Sequence, residues 1–263
     1  MDAVRLTHIG GPTTLIEVGG WRILTVPTFD PAGDHYAFGW GTGSTKVAGP
    51  AIAPGLLGPV DAVLLTHDHH ADNLDGAGRA LLADVPTVLT TVAGARRLGP
   101  PAVGLAPWAS TTLEHPDRTS IGVVATPCRH GPPLSRPIVG DVVGFALSWP
   151  GQERGVLWIS GDTVLTADLR RIPERLDVDL AVLHLGGVQF PTTGPLRYTM
   201  TVDEAVELCG LMRPRLVVPV HYEGWSHFRE GRDAIERRLE SAPSEVRDAF
   251  RFLDPGVPTD LSR

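Results

Sequence analysis

Ala62-Val63-Leu64-Leu65-Thr66-His67-Asp68-His69-His70-Ala71-Asp72-Asn73 is the stretch that decides the reading. An apolar run suited to a buried strand ends in a polar segment. In that segment His67, Asp68, His69, His70 and Asp72 can each ligate a metal or move a proton. If the backbone stays extended, His67 and His69 point to the same side. Neutral imidazole together with carboxylate suits a borderline cation such as zinc. The bland alternative is a polar loop whose histidines cap neighbouring backbone groups. Packing does not explain so dense a cluster after a β-run, and ligation is the better account.

Three more polar residues stand at the ends of apolar runs. His130 follows Ile121–Thr126 after a Pro turn, Asp162 follows Trp158-Ile159-Ser160-Gly161, and His221 ends Leu216-Val217-Val218-Pro219-Val220. Singly, each reads as ordinary structure: a turn residue, a helix N-cap, a satisfied core histidine. The repeated order of strand, then ligand-type residue, favours one shared metal site.

Around these positions the chain reads as mixed α and β. Val4–Ile9, Thr13–Val18 and Trp21–Val26, separated by Gly-Gly-Pro and Gly-Gly, predict an antiparallel meander. Further strands are expected at 62–66, 87–91, 121–126, 180–185 and 216–220, and 144–149 with 155–160 read as a hairpin. Helices are expected at 75–82, in the segment ending near Leu98, at 233–239, and from the capping box Thr201-Val202-Asp203-Glu204 through Met212. Residues 27–59, rich in Gly, Pro and Thr, read as a long substrate-side loop carrying Tyr36, Phe38 and Trp40. The alternation of strands and helices predicts sheets sandwiched between helices in a single domain over 1–263.

Composition narrows the function classes. The 263 residues suffice for a sizeable core, and 42% hydrophobic with 20% charged residues is an ordinary globular balance. A formal net charge of −7, with basic pairs scattered along the chain, argues against nucleic acid as a partner. Two dissimilar cysteines, Cys128 and Cys209, argue against a disulfide framework. Met1-Asp2-Ala3-Val4-Arg5 has no apolar leader core and no run approaches membrane-spanning length. The expectation is a cytoplasmic protein with a small-molecule substrate, no membrane partner, and homo-oligomers left open.

With these residues in view, the chain from about Leu6 to Phe228 resembles the metallo-β-lactamase superfamily. Its signature, His-x-His-x-Asp-His after a strand and then single His, Asp and His residues at strand ends, is similar to His67, His69, His130, Asp162 and His221 in order. Leu74-Asp75, Gly161-Asp162-Thr163 and Pro219-Val220-His221 look like the ascorbate-phosphate lactonase-like branch. The resemblance implies a four-layer αβ/βα sandwich of two mixed β-sheets flanked by helices, with metal at one edge.

The match departs from the family at His70-Ala71-Asp72-Asn73. An insertion after His69 aligns Asp72 with the family Asp and Asn73 with the second-metal His. A gapless alignment puts Asp72 at that His position. Either way the second-metal His is missing, Asn73 is a poor zinc ligand, and His70 is a candidate replacement. Thr25-Val26-Pro27 also stands where the branch commonly has Thr-Asp-Pro.

The implied activity is that of a metal-dependent hydrolase using a metal-bound hydroxide on an ester, lactone or phosphodiester. Two divalent ions are expected, zinc first, with manganese or iron as alternatives and the second site in question. Zinc lowers the pKa of bound water from about 15.7 to about 7. His67, His69 and His130 would hold one ion, with Asp162 bridging to a second on Asp72 and His221. Asp72 would orient the nucleophile, with Asp68 a lesser helper, and His184 would protonate the leaving group. Arg197 and Tyr198 would hold an anionic substrate, and Trp225 and His227 would line the pocket wall. Two rivals stand beside this reading: a mononuclear non-haem iron oxygenase of the same fold, and a catalytically impaired metal-binding protein.

Overall fold

The computed structural model describes residues 4–261. Met1 to Ala3, part of the N-terminal segment read above for a leader, lie outside the described residues. Strands β1 (Arg5–Gly10), β2 (Thr13–Val18) and β3 (Trp21–Thr25) form the expected antiparallel meander. Residues 35–45, expected as loop, instead contain a hairpin of β4 (His35–Gly39) and β5 (Thr42–Thr45). Its alternating exposure and its Gly39-Trp40-Gly41 turn, with all three residues at positive φ, explain the difference.

Strand β6 (Ala62–Leu64) pairs parallel to β3, and β7 (Val88–Thr91) and β8 (Ala102–Leu105) continue the sheet in parallel. A second sheet follows: β9 (Ser110–Leu113), β10 (Ile121–Pro127), β11 (Val143–Ser148), β12 (Val156–Ile159), β13 (Val178–His184) and β14 (Leu216–Val220). The strands from β9 to β12 pair antiparallel, while β12, β13 and β14 run parallel. The last strand, β15 (Thr259–Asp260), returns to pair with β1. Strands β8, β9 and β15 are too short or too polar to show in the sequence pattern.

Period-2 alternation sorts the layers. Leu157 and Ile159 of β12 enter a core shared with Leu6, Ile16, Ile23 and Leu64 of the first sheet, while Trp158 faces the opposite side. That outer face is covered by α4 (Ala167–Arg170), α5 (Val202–Met212), α6 (Arg232–Leu239) and α7 (Ser244–Arg247), through Leu169, Leu208, Ile235 and Val246. On the far side of the first sheet, Leu24, Val63, Leu65 and Val88 pack with Leu74 and Leu82, beside α1 (Gly76–Leu81). Helices α2 (Val92–Leu98) and α3 (Arg136–Val139) complete the set. Two mixed sheets between helices form the four-layer αβ/βα sandwich.

The capping box of α5 is formed as the sequence predicts, with Glu204 N donating to Thr201 Oγ1 and Thr201 N to Glu204 Oε2. Because β10 and β12 each pair antiparallel with β11, they run the same way. The carboxyl ends of β10, β12, β13 and β14 therefore share one edge, where open sheets commonly place ligands. No helix among the described residues is long and apolar enough to cross a membrane.

Candidate metal centre

Two triads of ligand atoms face each other at this edge: His67, His70 and His130, and Asp72, Asp162 and His221. Within each, the atoms lie within 4.8 Å of one another. Each triad is supplied by strand ends: His67 just beyond β6, His130 beyond β10, Asp162 beyond β12 and His221 beyond β14. Gly161, at φ +63°, turns the chain sharply before Asp162, and a Cβ there would stand 2.9 Å from the Val143 carbonyl. His221 itself adopts φ +60°, an uncommon conformation for a residue with a side chain.

Asp162 Oδ2 lies between the triads, 4.0 Å from His67 Nε2 and 3.4 Å from His221 Nε2. Asp72 Oδ2 is 3.5 Å from the same His221 nitrogen. The ring orientations are held from behind. His130 Nδ1 donates to the Tyr198 carbonyl at 2.8 Å and His221 Nδ1 to the Leu185 carbonyl at 3.3 Å, so in the neutral rings Nε2 keeps its lone pair. Among the described residues, His67 Nε2, His221 Nε2 and the Asn73 side-chain oxygen are fully buried without a hydrogen-bond partner. Buried polar atoms left this way are costly, and the two imidazole nitrogens on either side of Asp162 Oδ2 fit cation ligation.

The two triads differ electrically. Burial drives the His67 imidazole well below its usual range despite the pull of Asp162, and burial takes His70 down to about 4. Both rings are neutral at pH 7 and suited to ligation. Burial also opposes charge on His221, but Asp162 and Asp72 outweigh it and lift the imidazole to about 9. Asp72 stays ionised well below its usual range, because the nearby His221 imidazole and the hydrogen bond from His227 overcome burial.

His69 and His70 exchange the places the sequence predicts for them. The chain does not stay extended past Thr66: Asn73 N and Leu74 N both donate to the His70 carbonyl, closing a turn. His69 is thereby directed outward, over Gly140, where an added Cβ would meet its ring at 2.0 Å. Its Nδ1 lies 3.4 Å from Arg97. His70 joins the triad, with its Nδ1 3.2 Å from His130 Nε2. Counting back from Asp72, His70-Ala71-Asp72-Asn73 supplies the second half of the motif, so the extra residue lies between His67 and His70.

Asn73 donates to Asp162 Oδ2 at 2.9 Å and to Asp72 Oδ1 at 3.3 Å, bracing the two carboxylates. Asp68 is no helper, being bound by Arg97 at 2.5 and 2.8 Å. His184, expected to protonate a leaving group, is fully buried, and its Nδ1 donates to Asp162 Oδ1 at 2.9 Å. It holds the central carboxylate. Tyr198 reaches the cleft before the triads, whereas Arg197 turns toward Glu230 beside Gly187 and Trp225 packs under Lys46. His227 contacts Asp72 instead of an open wall.

The sandwich with His and Asp at its strand ends defines a protein of the metallo-β-lactamase fold. Residues 22–222 match the family model of the Beta-lactamase superfamily domain, and the chain belongs to that superfamily. A UPF0173 metal-dependent hydrolase of Deinococcus radiodurans is 30% identical over 98% of this chain and its own full length. Among solved structures, isothiocyanate hydrolase from Delia radicum gut bacteria covers 97% of this chain and 98% of its own, with TM-score 0.78 and 19% identity. CmlA, a diiron β-hydroxylase from Streptomyces venezuelae, covers 99% of this chain with 54% of its own, at TM-score 0.68 and 16% identity. Both structural likenesses concern the fold alone.

Proposed function

We propose that this chain is a metal-dependent hydrolase of esters, lactones or phosphodiesters of small molecules. The observation that carries the reading is the position of Asp162 Oδ2 between a three-histidine triad and an Asp72/His221 pair. His67, His70 and His130 would hold one divalent ion, and Asp72 and His221 the other, with Asp162 shared. When bound, such ions supply Lewis acidity that activates water at neutral pH and polarises the scissile bond.

The protein's own groups do the positioning. Asp72, kept ionised, accepts a hydrogen bond from the attacking water and aims it. His184 and Asn73 hold the Asp162 carboxylate from two sides. For an ester the balance is simple: water oxygen bonds to the acyl carbon, the C–O bond breaks, and the alcohol leaves with a proton. The lactonase-like assignment rests on the Gly161-Asp162-Thr163 and Pro219-Val220-His221 segments.

A second reading, iron-dependent oxygen chemistry, draws on two histidines and one carboxylate, a set that His67, His130 and the adjacent Asp162 would supply. Metal analysis with turnover assays decides between the two. The hydrolase reading expects two ions per chain, ester or lactone turnover, and loss of both in His130→Ala and Asp162→Ala with the fold retained. Oxygen consumption by the iron-loaded protein without hydrolysis would overturn it, and metal binding with no turnover of either kind would mark a binding protein.

A further inference from the structure

A cleft of about 80 Å³, open at its mouth, lies directly in front of the two triads. His70, Asp72 and His130 form its floor. Its walls come from three segments: Phe38 of β4, Ile138 and Val139 of α3, and Val188 and Phe190 beyond β13. Phe38 and Phe190 meet edge to face with centroids 6.0 Å apart. Trp40, 80% exposed, stands at the mouth on the hairpin turn, and Gly41 beside it approaches Thr192 across the opening. An indole so exposed at the lip of an apolar cleft is a surface waiting for cover.

Charge is the deciding absence: among the described residues, no Lys or Arg lines this cleft. The nearby cations are occupied elsewhere: Lys46 on Asp75, Arg97 on Asp68, Arg136 on Asp141, and Arg197 turned toward Glu230. Arg129 and Arg136 line the neighbouring cleft, which shares His130 and Val139 with this one. A carboxylate or phosphate on the non-reacting end of a substrate would lose water here without gaining a partner.

We propose that this cleft takes an uncharged aryl or branched alkyl group on the non-reacting side of the substrate, with Trp40 closing over it. The proposal rests on the hydrolase reading and narrows it to neutral, apolar substrates, setting aside the anionic substrate expected from Arg197 and Tyr198.

The test uses binding by the metal-loaded protein, with three hydroxamates that share one chelating head: acetohydroxamate, benzohydroxamate and 4-carboxybenzohydroxamate. Burial of the ring is expected to make benzohydroxamate about thirtyfold tighter than acetohydroxamate, and the added carboxylate to erase that gain. Trp40→Ala, at an exposed site, should reduce the aryl advantage while leaving acetohydroxamate affinity unchanged. Ile138→Lys, also exposed, should reverse the preference toward the carboxylated probe. Equal affinity for all three, or preference for the carboxylate in the unaltered protein, would overturn the proposal. Aryl preference in a protein that hydrolyses no ester, lactone or phosphodiester would sink the hydrolase reading and leave the cleft assignment standing.

Discussion

His227 donates its Nε2 proton to Asp72 Oδ2 across 3.0 Å, while its Nδ1 accepts from the Ser44 hydroxyl at 2.6 Å. The imidazole thus ties the β4–β5 hairpin to a carboxylate of the second triad. Its ring is stacked on Phe190 with a centroid distance of 5.4 Å. Removing this support in His227→Ala should weaken the Asp72 site about 10–100-fold, the usual effect of losing an outer partner of a ligand. Chelator competition checks it, with the three-histidine site as internal control. Equal loss at both sites would point to general unfolding.

The exchange of His69 and His70 gives a sharp comparison. His70→Ala should abolish binding at the histidine triad and cost activity at least a hundredfold, whereas His69→Ala should retain metal content and most turnover. Metal analysis of the two purified variants decides. The reverse ranking would mean that the turn at 70–74 is wrong.

This exchange also marks how far the sequence could be read. Strand-end positions of His67, His130, Asp162 and His221 were legible because each follows a short apolar run, and the sandwich was legible from period-2 runs alternating with capped helices. His69 misled because alternation holds only while the chain is extended, and β6 ends at Leu64, before the histidines begin. The roles of His184 and His227 depend on contacts across 22 and 155 residues, which no local pattern encodes. His227 lay close enough to His221 to be noticed, but nothing in its neighbourhood announced Asp72.

Proton competition should distinguish the triads. His221 must shed a proton to ligate, and with its imidazole lifted to about 9, affinity at the Asp72/Asp162/His221 site should rise about tenfold per pH unit from 6.5 toward 9 and then flatten. His70, brought down to about 4, imposes no such cost over that range. The metal-free protein carries the opposite sign. A raised histidine stabilises the fold below its unfolded value of about 6.5, and that contribution disappears as pH climbs through 9. Calorimetric titration with zinc at several pH values, beside melting of the chelated protein, tests both halves.

Asn73→His restores an imidazole where Asn73 now braces two carboxylates. Affinity at the second site should increase about tenfold, equivalent to about 1.4 kcal/mol. Unchanged affinity would show that Asp72, Asp162 and His221 already complete the site, and equilibrium dialysis suffices to tell.

The ion pair between Lys46 and Asp75 is buried on both sides, at 2.8 Å. Asp75 also accepts from Phe29, Asp30 and Gly78 backbone N–H groups, so it keeps partners when the lysine is removed. Lys46→Met should therefore cost about 3 kcal/mol, the low end for a broken buried pair, and lower Tm by roughly 6–12 °C. A melt unchanged within about 1 °C would contradict the pairing.

The hairpin that Lys46 anchors has two ends with separate duties. Its base is pinned by the Lys46 ion pair and by Ser44 and Thr45 against Ser226, while nothing lies within 4 Å of where a Cβ would sit on Gly39 at its tip. Gly39 and Gly41 are held to glycine by their positive φ, but exchange of the exposed Trp40 side chain between them costs the fold little and alters the outer lip of the cleft without moving a ligand on the strand ends. Descendants of this chain can therefore acquire a taste for new molecules by redrafting a few residues around Trp40, while the chemistry behind it is inherited intact.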